Sequence, residues 1–231
     1  GHVQETGATG LHPFNWVDWR PLMRAAVANL DAWISSNTTP PPSRHARLDD
    51  GTAVPSASLK SVFQSFPGVG FPDHLRHLSR LDYGPRDGIV ENLPPVTGNP
   101  YPALVSNVDQ DGNDVAGIRL PDVSVPLASV PGWNLRHPDT GGPGQTHKTM
   151  GSTLPFAFTK QERQDTSDPR PSIEERYASR QDYLDRVETA AQDLASERYM
   201  LEEDVPRVSE MAGGRYDLLE SRVKEAQPAG D

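Results

Sequence analysis

Leu22, Met23, Ala26, Val27, Leu30, Trp33 and Ile34 recur at helical spacing, with Arg24, Asn29 and Asp31 on the remaining faces. This pattern predicts a core-facing helix over residues 19–35. Asp18 is placed to cap it, and Pro21 falls in the first turn, where its missing N–H costs nothing. Ser35-Ser36-Asn37-Thr38-Thr39 and Pro40-Pro41-Pro42 then end it, since proline cannot continue the ladder. From residue 43 to 100 Pro and Gly interrupt every apolar group, so little regular structure is expected. Two β-prone runs, residues 101–108 and 115–120, flank the turn cluster Asp109-Gln110-Asp111-Gly112-Asn113-Asp114 and predict a β-hairpin over about 101–120. Residues 121–158 read again as ordered loop.

The pattern changes at Pro171. Ser172-Ile173-Glu174-Glu175 is a capping box that starts a helix. Ser179 is placed to cap a longer one, whose stripe is Tyr183, Leu184, Val187, Ala191, Leu194 and Ala195. A third helical segment begins near Glu202 to Asp204, tolerates Pro206 in its first turn and is expected to stop at Gly213-Gly214, with a frayed tail beyond Lys224. These signals predict a loop-rich α+β chain in three parts: residues 1–39, a Pro/Gly-rich extension over 40–170, and a helical tail over 171–231.

Composition narrows the partners. Only 35% of the 231 residues are hydrophobic, against 23 Pro and 19 Gly, which points to long ordered loops over a modest core. A net charge of -10 repels phosphate backbones and anionic lipid, and no basic patch with interleaved aromatics offsets it, so nucleic acid is excluded as a partner. The chain has no Cys, which removes disulfides and thiolate nucleophiles and fits either redox compartment. No apolar run reaches the roughly 18 residues of a membrane span, and no signal-peptide pattern stands at the front. The compartment stays open, and any export signal is expected upstream. The chain begins with Gly, and its first Met is Met23, as in a processed product or a fragment.

A serine hydrolase of the α/β type carries its nucleophile on a Gly-x-Ser-x-Gly turn, followed in chain order by an acid and then a histidine on the loop before the last helix. No Gly-x-Ser-x-Gly occurs here. His2, followed by a Gly/Pro/Asn-bearing loop and the helix over 19–35, fits the final slot. Equally, His2 fits an idle chain terminus.

Further stretches strengthen the first reading. Leu30-Asp31-Ala32-Trp33-Ile34, Pro40-Pro41-Pro42-Ser43-Arg44, Gly132-Trp133-Asn134-Leu135-Arg136 and Asp168-Pro169-Arg170-Pro171-Ser172-Ile173-Glu174-Glu175-Arg176-Tyr177 together resemble large α/β-hydrolase-domain proteins with a long C-terminal extension. The resemblance covers nearly the whole chain and implies the C-terminal part of an α/β-hydrolase-like fold. It implies a carboxylic-ester hydrolase acting on a small-molecule ester without a cofactor. Gly1-His2 then resembles the family's histidine loop, with His2 the catalytic base. The serine and the orienting acid are expected before residue 1, so the partner of this segment is the N-terminal catalytic half of the same protein, and the segment alone is expected to be inactive.

Among other candidates, Trp133, Asn134 and Arg136 follow Pro131-Gly132 and offer a substrate pocket an apolar wall, an amide and a cation. The same residues fit structural roles, Trp133 anchoring its loop and Arg136 pairing locally. His74-x-x-His77 has metal spacing but no third ligand, so no metal is assigned. His45, His137 and His147 receive no role. The rival to the hydrolase reading is a non-catalytic packing or protein-interaction module, with a metal-dependent hydrolase a distant third.

Overall fold

The computed structural model describes residues 9–72, 78–147 and 149–226. Its elements run α1 (Arg20–Ser36), β1 (Ala53–Pro55), α2 (Lys60–Gln64), β2 (Ser79–Asp82), β3 (Val96–Pro100), β4 (Leu104–Ser106), α3 (Pro121–Ser124), β5 (Ala128–Ser129), β6 (Leu154–Pro155), α4 (Lys160–Thr166), α5 (Ile173–Arg176), α6 (Arg180–Ser196) and α7 (Val205–Ala226). The strands pair antiparallel as β1 with β4, β2 with β3, and β5 with β6. The fold is α+β, and close to half of its described backbone lies in loops held by specific hydrogen bonds.

The helical half follows its sequence signals closely. Ser172 accepts from the Glu175 N–H while the Glu175 carboxylate accepts from the Ser172 N–H, which closes the capping box of α5. Ser179 caps α6 by accepting from the Asp182 N–H. Tyr183, Val187, Ala191, Leu194 and Ala195 then bury one face of α6 against α7. The two helices run antiparallel: Tyr183 stacks on Tyr216 at 5.5 Å, and Leu194 shares a cluster with Val205.

Three expectations are corrected. First, α7 does not stop at Gly213-Gly214 but continues to Ala226. Ala212, Tyr216 and Leu219 are buried on one stripe, and that burial outweighs the roughly 1 kcal/mol each glycine costs a helix. Gly213 has a further use, since a Cβ there would lie 2.9 Å from the Arg180 guanidinium, which pairs with Asp217. Second, the hairpin over 101–120 does not form. β4 pairs with β1, and one bridge from Val108 to Asp114 closes the turn cluster. Asp109 takes the Asp111 and Asn113 N–H groups on its carboxylate, while the Asn113 amide bonds to Ala128 and Val130, so the turn is tied to β5 and not to a returning strand. Third, α1 does not face the core. Only Pro21 and Ala25 are buried on it, whereas Val27 is 65% and Ile34 77% exposed.

One edge of α1 is nevertheless fixed. Arg24 pairs with buried Asp204, Asn29 donates to the Arg198 carbonyl at 2.8 Å, and Leu22 packs into the cluster at the α6–α7 turn. Ahead of α1, residues 9–16 are stitched across the loops of the extension. Gly10 bridges Arg136 and Phe14 bridges Ser152, the Asn15 N–H donates to the Gly151 carbonyl, and Thr153 bonds at once to Pro13, Phe14 and Trp16.

The helical half and the loop half are joined through a buried ion pair. Arg170 and Asp168 are 4% and 5% exposed, and the guanidinium meets both carboxylate oxygens at 2.9 and 2.7 Å. Its remaining edge donates to Ser129 Oγ at 2.8 Å and the Leu154 carbonyl at 3.1 Å, while its face covers Phe66 and Phe156. Breaking a satisfied buried pair leaves a charge without a partner. Arg170→Met is therefore expected to cost about 3–5 kcal/mol in urea unfolding, and Arg170→Lys to recover little, because an ammonium cannot form the fork. A loss below about 1 kcal/mol would show that the pair does not hold the halves together.

His12 adds a pH dependence. Its partly buried ring has an unpartnered Nε2, and desolvation holds its pKa below the ordinary value of 6.5. The unfolded chain binds the proton more readily, so His12's contribution is complete above that value and is lost as the pH falls from it toward the folded pKa. Urea midpoints measured between about pH 7.5 and about pH 5.5 are expected to fall less steeply in His12→Phe than in the native chain. Equal slopes would count against this assignment.

Candidate functional site

Phe63 and Phe66 sit on and just after α2, and the chain returns past them at Phe71, β4 and the Pro131–Trp133 turn. The loop composition of residues 43–100 hides this arrangement, because its aromatic residues follow no period longer than a turn. Phe63, Phe71 and Trp133 pack on one another with ring centroids 5.2 to 6.0 Å apart. Together with Leu59, Val105 and Val108 they wall a cavity of about 330 Å³. The Trp133 ring is thus both an anchor of its loop and a wall of a cavity sized for a small ligand.

Asp114 is the charged group of this cavity. Asp114 keeps an exposed side, and partial desolvation on the cavity side raises its carboxyl from the usual range, while a hydrogen bond from Ser106 and the nearby charge of Arg119 oppose the shift. A carboxyl at the mouth of an aromatic cavity can orient a polar end of a ligand whose body is apolar. The sequence held a signal for it in the turn cluster, but the fold alone places that turn beside Trp133.

Asn134 does not join Trp133 in lining the cavity. It is fully buried, its Nδ2 donates to the His12 carbonyl at 2.8 Å, and its Oδ1 accepts from the His12 N–H at 3.2 Å. The whole amide is used as a surrogate strand partner that pins residues 10–14 to the extension. Gly10 permits this approach, because a Cβ there would lie 2.9 Å from Asn134 Nδ2. Arg136 lies two residues further on and lines a separate, smaller cavity with Thr9, Thr140 and His147. The three residues grouped by sequence proximity therefore divide into a wall, a clasp and a cation.

Ser152 follows Gly151 but is fully buried and donates its hydroxyl to the Trp133 carbonyl at 2.7 Å, so it holds a turn and faces no base. His2, His74 and His77 lie outside the described residues. Among the described residues no group of three or more His, Cys, Asp or Glu side chains is arranged to hold a metal ion, and no helix is long and apolar enough to cross a membrane.

Comparison with known proteins adds one finding. No curated protein matches the chain, and no solved structure matches it. One protein family does, over residues 1–210, and it is described as an alpha/beta hydrolase domain. That match spans the loop ahead of α1, the aromatic cavity, the Asn134 clasp and most of the helical half, so the chain belongs to the alpha/beta-hydrolase-domain family.

Proposed function

We propose that this chain is the C-terminal portion of a carboxylic-ester hydrolase, in which His2 is the catalytic base and the extension covers the substrate pocket. The observation that carries the reading is the state of α1. Trp19, Met23, Val27, Leu30 and Ile34 form a continuous apolar stripe along the helix and are all substantially exposed, while the opposite edge is held by Arg24, Asn29 and Leu22. A helix anchored on one side and open on the other suits the covering of a parallel sheet, which is stable only with both faces covered. The sheet belongs to the family's hydrolase domain, and the stripe is where it docks.

In this reading the serine nucleophile and the acid precede residue 1. His2 takes the serine proton as the Oγ–acyl bond forms, then gives it to the departing alcohol. It next draws a proton from water, whose attack releases the carboxylate and restores the serine. The Trp133 cavity receives the apolar part of the ester. The rival reading is a non-catalytic interaction module, in which the same stripe seats another chain and His2 is idle.

Two outcomes separate these readings, and a third, turnover by the isolated chain, would count against both. The longer protein is expected to hydrolyse short p-nitrophenyl esters, and His2→Ala to lower kcat by about 10³-fold or more; activity left intact would remove His2 from the chemistry. The isolated 231 residues are expected to show no turnover, since a base without a nucleophile has nothing to activate. Val27→Asp and Ile34→Asp are expected to leave the isolated chain's stability within about 0.5 kcal/mol, as for exposed positions, while lowering ester hydrolysis in the longer protein. Full activity in those variants would mean that the stripe contacts no hydrolase sheet.

A further inference from the structure

Arg136 lines a small cavity separate from the aromatic one. Gly10 bridges Arg136, and Leu135 bridges Thr146, so residues 9–11, 134–137 and 145–147 run side by side as a narrow antiparallel ribbon. Leu135 is buried in the protein, and alternation along the ribbon turns Arg136 to the opposite face. There Thr9, Arg136, Thr140 and His147 line a cavity of about 170 Å³.

Arg136 differs from the arginines that hold the fold. Arg119, Arg170, Arg176 and Arg215 each pair with an aspartate. Arg136 instead donates Nη2 to the Thr140 carbonyl at 2.7 Å, and among the described residues no carboxylate pairs with it. The bond fixes the guanidinium in place and leaves most of its five N–H donors unused. His147 is held equally firmly, its N–H donating to the Asn134 carbonyl at 2.6 Å and its ring set 5.4 Å from Phe14. Its Nδ1 is buried without a partner. A cation beside an imidazole and two threonines, in a cavity with no carboxylate among the described residues of its lining, is an arrangement that calls for an anion.

We propose that this cavity is a binding site for a small carboxylate. A guanidinium presents two parallel N–H groups that match the two oxygens of a planar carboxylate. At about 30 Å³ per water-sized group, the volume holds roughly five or six heavy atoms, enough room for acetate or propionate. The site does not depend on the role assigned to His2.

The test is a titration of the 231-residue chain with sodium acetate at constant ionic strength, followed in ¹H–¹⁵N spectra at the Arg136 Nε–H and by calorimetry, with inorganic phosphate and chloride as parallel arms. The expected result is saturable acetate binding that moves the Arg136 resonance, with both other anions weaker. Arg136→Gln is expected to weaken acetate by about tenfold or more, and Arg136→Lys to restore only part of the loss. The urea midpoint of each variant shows whether it is folded, and the native titration stands without them. A static Arg136 resonance, phosphate bound in preference to acetate, or a folded Arg136→Gln with native affinity would each overturn the proposal.

Discussion

Two guanidinium groups lie over the Phe156 ring, Arg170 at 5.2 Å and Arg176 at 4.2 Å from its centre, and each arginine is paired with an aspartate. This cluster joins the parts of the molecule that have least reason to stay together. Arg176 reaches Asp111 in the turn cluster, Arg170 reaches Ser129 on β5 and the Leu154 carbonyl on β6, and Ser129 in turn donates to the Asp111 carbonyl. A chain with 23 prolines and few apolar residues gains limited rigidity from hydrophobic burial, so its loops must be specified by directional bonds. Buried charges serve that purpose because a misplaced loop would strand one of them.

The same economy of core explains the two cavities. In the aromatic cluster Phe63 and Phe71 stack and Trp133 packs edge-on against both, which leaves space beside it, since no regular helix or strand fills the gap between α2, β4 and the Pro131–Trp133 turn. The Arg136 cavity arises where three extended segments of unequal length lie together. Both sites are set by loops that are themselves clamped, one by Asn113 and the other by Asn134, each using its amide in place of a missing strand. Asparagine suits this work because it carries a donor and an acceptor on one rigid group, as a peptide does.

The exposed stripe of α1 belongs to a different level of organisation. Its amphipathic pattern is as regular as that of α6, yet α6 buries its apolar face and α1 does not. The difference lies in what stands opposite. α6 has α7 beside it in the chain, whereas the described residues provide α1 with a partner only along the edge of Arg24 and Asn29. Among the described residues its apolar face is left open.

Local chemistry made much of the helical half legible. Ser172, Glu175 and Ser179 act within a turn of their own positions, and the period of Tyr183, Val187 and Ala191 depends only on helix geometry, so capping and burial on α5 and α6 could be read without knowing the fold. The family was legible as well, through short stretches spread along the chain. The α7 terminus was not, because Gly213-Gly214 is a stop signal that only the burial of Tyr216 and Leu219 overrides. Nor was the pairing of β4 with β1, whose residues lie about fifty apart and compete with a nearer run of equal β-propensity. The separation of Trp133, Asn134 and Arg136 into wall, clasp and cation was also beyond reach, since side chains adjacent in sequence take their surroundings from His12, Phe63 and Thr140. The sequence determined which segments are helical, how they are capped and which family they belong to, because those properties arise within a few residues. The tertiary structure decided which apolar face is covered and which charge is left unpaired, because those depend on what the fold brings from far along the chain.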